Sequence, residues 1–311
     1  MKRQRFTTFC RALASLTLCL APLGAVAQDA ARPLRIIAFG AHPDDAEFRI
    51  AGCAAKWAKL GHKVKFVSVT NGDIGHWNTA GGPLAQRRRA EVIEAARRIG
   101  IEAETLDIHD GELLPTLENR RTITRLIREW QADMVFCHRS WDYHPDHRYA
   151  GILVQDAAFM VTVPYFCPDV PALKSNPVFF YFFDRFTKPY PFKPDVAVSI
   201  DDVFEAKLNA VEALASQVYE GGAGGSEEML KQRSVHDPVK RKELLRGAWV
   251  QRDGSTANRF RELLVKWYGS DQGNSVKQAE AFEICEYGRR PDDAELRRLF
   301  PFFPKAGETA R

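Results

Sequence analysis

No Cys-x-x-Cys pair occurs in this chain, and its six cysteines are widely scattered. That spacing excludes a structural zinc knot. Cys53 and Cys137 sit inside apolar segments and read as core residues. No uninterrupted apolar run reaches the roughly 20 residues that cross a bilayer, and the stretch near the N-terminus is broken by Pro22. No internal repeat is present. Charge of one sign is also lacking. Four of the 44 basic residues (Lys2, Arg3, Arg5 and Arg11) fall in the first 27 positions, which carry no acid, so the remainder balances 40 against 40. Nothing in that balance calls for nucleic acid or an anionic membrane as partner.

Residues 1–27 have a basic start, a short apolar stretch and the small-x-small sequence Ala25-Val26-Ala27. They read as a secretory signal peptide. The expectation is an exported protein, periplasmic or secreted, with no membrane span once the signal is removed. Residues 28–311 are then expected to form one domain, with a core over about 34–200 and a C-terminal extension over about 201–311.

Apolar runs at 34–40, 63–69 and 133–138, with a short one at 104–108, alternate with helical periodicities at 45–60, 84–99, 117–130 and 147–160. Such alternation predicts βαβ units, hence an α/β three-layer fold with a mostly parallel sheet covered by helices on both faces. Further strands are expected at 177–183, 195–200 and 279–287, and helices at 202–219, 236–250 and 255–267. The glycine-rich stretch 219–228 follows no strand, so it reads as a linker or lid and not as a phosphate cradle. The aromatic stretch 177–192 reads as a buried strand followed by a loop.

Two clusters stand where strands end. FGAHPDDAE (39–47) follows the first strand, and DYHPDHR (142–148) follows the strand at 133–138. In open α/β sheets ligands bind beyond the carboxyl ends of the strands. His42 and Asp45 flank a helix start with Pro43 at its first turn, close enough to share one cation. His144 and His147 share a helix face at i,i+3. Two imidazoles and a carboxylate around zinc leave a fourth position for water, the pattern of a catalytic site. Either of His144 and His147 suits as the second imidazole ligand on spacing alone. Asp44, outside the ligand set, is the candidate general base. The remaining histidine is the candidate oxyanion stabiliser and general acid, with Asp146 orienting it.

FGAHPDDAE together with DYHPDHR resembles the PIG-L/LmbE family of zinc-dependent N-deacetylases, over roughly residues 34–200. The resemblance implies a Rossmann-like fold and removal of acetyl from N-acetylglucosamine-type sugars or glycoconjugates. It implies His42, Asp45 and His147 as zinc ligands, Asp44 as base, His144 as oxyanion stabiliser and acid, and Asp146 as the residue that orients His144. It also implies substrate contacts from Arg88 and Asp110. TNGDIG (70–75) carries Asp73 where the family usually has glutamate, and Asp142 stands where some members have an aromatic residue. The ligand set also suits iron(II) or cobalt. Competing readings are an amidase acting on a different acyl group of a sugar-linked conjugate, and a non-catalytic zinc-containing glycan-binding protein. A metallophosphoesterase needs ligands for two ions, and the motifs supply one set.

Overall fold

The computed structural model describes residues 32–232 and 236–304. The signal-peptide reading of residues 1–27 lies outside them. The chain runs β1 (Arg35–Gly40), α1 (Asp45–Lys59), β2 (Lys63–Ser68), α2 (Gly82–Ile99), β3 (Glu102–Thr105), α3 (Leu117–Trp130), β4 (Met134–Cys137), α4 (Pro145–Met160), β5 (Val178–Phe182) and β6 (Val196–Ser199). There follow α5 (Phe204–Glu212), α6 (Ala215–Val218), α7 (Glu227–Gln232), α8 (Pro238–Arg259), α9 (Arg261–Tyr268), α10 (Ser270–Ser275), β7 (Ala279–Gly288) and α11 (Asp293–Leu299). The α/β alternation expected over residues 34–160 is present.

The sheet order is β3-β2-β1-β4-β5-β7-β6. Strands β3, β2, β1, β4 and β5 pair in parallel, and β7 runs antiparallel to both β5 and β6. Ile36, Ile37, Ala38 and Phe39 of β1 and all four residues of β4 are buried. Unbroken apolar runs of this kind are what a strand covered on both faces requires. From β1 the chain steps outward to β2 and β3, then returns to place β4 on the other side of β1. The reversal makes the β1/β4 edge the topological switch point, where a crevice opens beyond the strand ends.

Residues past 200 do not lie outside this sheet. Strand β7 inserts between β5 and β6, and its Glu280 accepts hydrogen bonds from the backbone N–H of Gly52 and Cys53 in α1 at 2.9 and 2.8 Å. Lys207 of α5, fully buried, sits 3.0 Å from Glu280 and 2.8 Å from Asp253 of α8. A buried ammonium is tolerated only when so paired. This three-residue knot ties α5, α8 and β7 to the helix that carries Asp45.

Local boundaries differ from expectation in two places. The helix expected over 202–219 is broken after Glu212 into α5 and α6; the one expected at 236–250 runs on across Gly254 to Arg259 as α8, and the rest of the one expected at 255–267 is α9. Phe179, Phe180 and Phe182 are buried in β5, so the aromatic stretch is sheet core followed by loop. Cys53, Cys137, Cys167 and Cys285 are buried free thiols. Among the described residues no helix is long and apolar enough to cross a membrane.

Candidate active site

The loops leaving β1 and β4 meet at the switch point. Asp45 opens α1, and His144 caps the N-terminus of α4, with Pro145 in its first turn. His42 Nδ1 lies 3.2 Å from His147 Nε2, and Asp45 Oδ2 lies 3.4 Å from each of those two nitrogens. Ligands about 2.0–2.1 Å from a tetrahedral zinc stand roughly 3.3–3.4 Å apart along each edge. The three atoms therefore form one face of a cation site of that size. Around them, His42, His144 and His147, and likewise Asp45, His138 and His147, present donor atoms within 4.8 Å of one another.

The outer nitrogens of the two inward-facing rings are taken by carboxylates. His147 Nδ1 is 3.0 Å from Asp142 Oδ1. His42 Nε2 is 3.0 Å from Asp110 Oδ1 and 3.2 Å from Asp146 Oδ2. Carboxylates placed this way fix ring orientation and leave the inner nitrogen free for an ion. Asp142, which the sequence reading treated only as a missing aromatic, is thus the partner of His147. Its Oδ1 also accepts from the backbone N–H of His144 at 3.1 Å.

Asp146 is placed differently from expectation. Its carboxylate accepts from the backbone N–H of Gly111 and Leu113 at 2.6 and 3.2 Å and faces His42; the bond it makes with His144 runs from its own backbone N–H to Nδ1, at 3.2 Å. Asp146 orients His42 through its side chain and His144 through its main chain. A bond accepted at Nδ1 places the ring proton of neutral His144 on Nε2. Burial, and then the neighbouring His42 and His147 rings, push the pKa of His144 below its ordinary value. That environment favours a neutral hydrogen-bond donor over an imidazolium acid, because protonating Nδ1 would set two N–H groups against each other.

Asp44 lines the same cavity as the His42–Asp45–His147 face. Its Oδ2 accepts from Arg88 at 3.1 Å. Burial raises its pKa, and Arg88 partly offsets that rise. Three successive arginines on α2 have three fates. Arg87 forms a bidentate pair with Glu220 at 2.9 and 2.6 Å, Arg88 is 2 % exposed, and Arg89 is exposed. Arg88 donates to the carbonyls of Gly72 and Pro43, each at 3.1 Å, and lies 3.7 Å from Asp110. The two glycines of TNGDIG make room for it, since a Cβ at Gly72 or Gly75 would overlap its guanidinium, and Gly72 also has φ 70°. Asp73 accepts from the N–H of Asp110 at 3.1 Å and meets His109 Nδ1 at 2.6 Å. It holds the loop that presents Asp110.

A cavity of 330 Å³ opens over these groups, lined by His42, Asp44, Asp45, Arg88, Asp110, Tyr143, His144 and His147. Its far wall comes from Phe48, Arg49, Gln217, Gly221–Ala223 and Arg252. The glycine-rich stretch is anchored there: Trp77 donates its N–H to Gly222 O at 2.9 Å, and Gln217 donates to Gly75 O at 3.1 Å. Sequence reasoning missed that wall and also His138, whose Nε2 lies 3.3 Å from Asp45 and whose ring stacks on His147 at 4.3 Å. The available signal for His138 was a polar residue ending the buried run DMVFC.

A cation-sized face of two imidazoles and a carboxylate at the switch point of a Rossmann-like sheet defines an α/β enzyme with a candidate metal centre. The family model described as PIG-L, GlcNAc-PI de-N-acetylase, matches residues 37–158. The diacetylchitobiose deacetylase of Thermococcus kodakarensis is 32 % identical over 194 residues, covering 59 % of this chain and 70 % of that protein. The 4-oxalmesaconate hydratase of Pseudomonas putida is 26 % identical over 185 residues, covering 57 % and 71 %. The structure of N,N'-diacetylchitobiose deacetylase from Pyrococcus horikoshii superposes with TM-score 0.60 at 24 % identity, covering 80 % of this chain and 83 % of that one. The chain belongs to the PIG-L family. Its enzyme class is accordingly that of the hydrolytic N-deacetylases.

Proposed function

We propose that this protein removes the acetyl group from an N-acetylglucosamine-type sugar or glycoconjugate with the help of one zinc ion held by His42, Asp45 and His147. The observation that carries the reading is the triangle of donor atoms at 3.2, 3.4 and 3.4 Å, with both imidazoles backed by carboxylates. The 32 % identical relative is a deacetylase acting on diacetylchitobiose, which supports the amino-sugar substrate. When bound, zinc polarises the amide carbonyl and brings the pKa of a water to roughly 7.

The residues around the ion divide the remaining work. Asp44 lies beside the ligand face but outside it, with its pKa raised by burial, so it accepts the proton of the attacking water. His144 donates Nε2–H to the oxygen that gains charge as the amide carbon becomes tetrahedral. The proton gathered by Asp44 passes to the departing nitrogen, so water and amide become acetate and a free amine. Arg88 holds Asp44, and with Asp110 it forms the polar floor of the cavity where sugar hydroxyls bind.

Purified protein should contain about one zinc per chain and release acetate from N-acetylated amino sugars. Chelation should abolish the release and added zinc restore it. Absence of acetate from a panel of such sugars, with zinc bound, overturns the reading. The hydratase relative supplies a second reading, addition of water to a double bond, which turnover of an unsaturated acid without acetate would favour. The signal-peptide-like pattern of residues 1–27 supports an exported location, tested by the N-terminal sequence of the protein recovered from the periplasm or medium.

A further inference from the structure

A larger cavity of 680 Å³ lies beside the one over the proposed metal ligands, and Phe48, Arg49 and Arg252 belong to the lining of both. The larger cavity holds three carboxylates, Asp184, Asp253 and Glu280, and all are engaged. Arg139 takes Asp184 through two bonds at 2.6 and 2.7 Å, and Lys207 lies at 2.8 and 3.0 Å from Asp253 and Glu280. The larger cavity's arginines are Arg49, Arg185 and Arg252, of which Arg185 donates to Ser255 Oγ at 3.0 Å. Among the described residues, Arg49 and Arg252 are within ion-pair reach of no carboxylate. The Arg49 side chain donates to the carbonyl of Phe183. Arg252 lies over aromatic faces, its Cζ 5.3 Å from the Phe48 ring and 5.6 Å from Trp249.

This arrangement has an energetic cost. Arg252 is only partly exposed, and burial together with neighbouring Arg49 pushes its pKa down to about 10. Among the described residues no carboxylate is within ion-pair distance of either guanidinium; Asp253, Asp44 and Asp45 compensate Arg252 only from farther away, and an oxyanion in direct contact would complete that compensation. Guanidinium also matches carboxylate and phosphate geometry through paired N–H donors.

We propose that Arg49 and Arg252 form an anion-binding subsite beside the catalytic cavity, which selects N-acetylated amino sugars bearing a carboxylate or phosphate group. The proposal rests on the deacetylase reading for its sugar half only; the subsite itself stands on the shared wall and the unpaired guanidiniums.

The test compares three substrates on the zinc-loaded full chain: N-acetylglucosamine 1-phosphate, N-acetylmuramic acid and the neutral methyl N-acetylglucosaminide. Acetate release is measured beside calorimetric binding of the same compounds. At least one charged sugar should exceed the neutral one in kcat/KM by about 10- to 100-fold, the size of one or two charge-assisted hydrogen bonds. Whichever charged arm responds identifies phosphate or carboxylate. Arg252→Ala and Arg49→Ala should each shrink the ratio severalfold, the double variant should bring it near one, and Arg252→Lys should retain part of it. Raised salt should erode the preference in the native protein. Equal kcat/KM for all three, or a preference that survives in the double variant with zinc content intact, overturns the subsite. If no sugar yields acetate, binding decides. Tighter binding of the charged sugars, lost in the double variant, sustains the subsite while the deacetylase reading falls. Equal binding overturns both.

Discussion

The two walls of the cavity are built on opposite charge logic. The wall formed by the β1 and β4 loops packs five carboxylates (Asp44, Asp45, Asp110, Asp142 and Asp146) among imidazoles and Arg88. All its outer contacts are made within the chain, so what is left open is the His42–Asp45–His147 face. The wall formed by α1 and α8 is the reverse: its carboxylates are consumed by Lys207, and its guanidiniums remain open. A cation is expected at one wall and an anion at the other. The difference shows why ligand preference is read better from unmatched charge than from charge count, since paired groups have little left to offer a ligand.

Breaking the first wall should have the largest effect. His147→Ala removes one corner of the donor triangle, and after dialysis metal content should fall from about one to under about 0.1 per chain, measured by elemental analysis. Asp44→Asn should keep its metal yet lose about 10²- to 10⁴-fold in kcat, the usual contribution of a positioned base. Full activity in that variant would remove Asp44 as the base. Next comes the join between the walls. Lys207→Met strands Asp253 and Glu280 in the interior and should cost about 3–5 kcal/mol of stability, read from denaturant unfolding. A metal centre that survives this change at native affinity would show that the first wall stands without the second. The smallest expected effect is on orientation. Asp142→Asn should weaken metal binding about 10- to 100-fold while the fold holds, measured by competition with a chelator. An unchanged affinity would mean that Asp142 serves only to bind the main chain of His144.

Much of the first wall was legible because its residues are local. HPDD and HPDH each bring a cation ligand and an acid to the start of one helix, and the alternation of strand and helix puts those starts at the same edge. The choice between His144 and His147 was not available from spacing. The proposal of His147 as ligand rests on what each ring's Nδ1 meets: a carboxylate for His147, a main-chain N–H for His144. Arg88 illustrates the same limit. Arg87, Arg88 and Arg89 look like one charge run, and only packing against two glycines sets the middle one under the cavity. Asp146 was expected to orient His144, but its carboxylate faces His42 because the loop N–H groups of Gly111 and Leu113 turn it there.

By itself the sequence determined the βαβ frame and the two strand-end clusters, because periodicity and short-range spacing govern those features. Tertiary structure alone decided that β7 enters the sheet between β5 and β6, that His138 and Asp142 contact Asp45 and His147, and that among the described residues no carboxylate lies within ion-pair distance of Arg49 or Arg252. Each of those facts depends on which distant segments come within a few ångströms, and contact at that range is set by the packing of the whole chain.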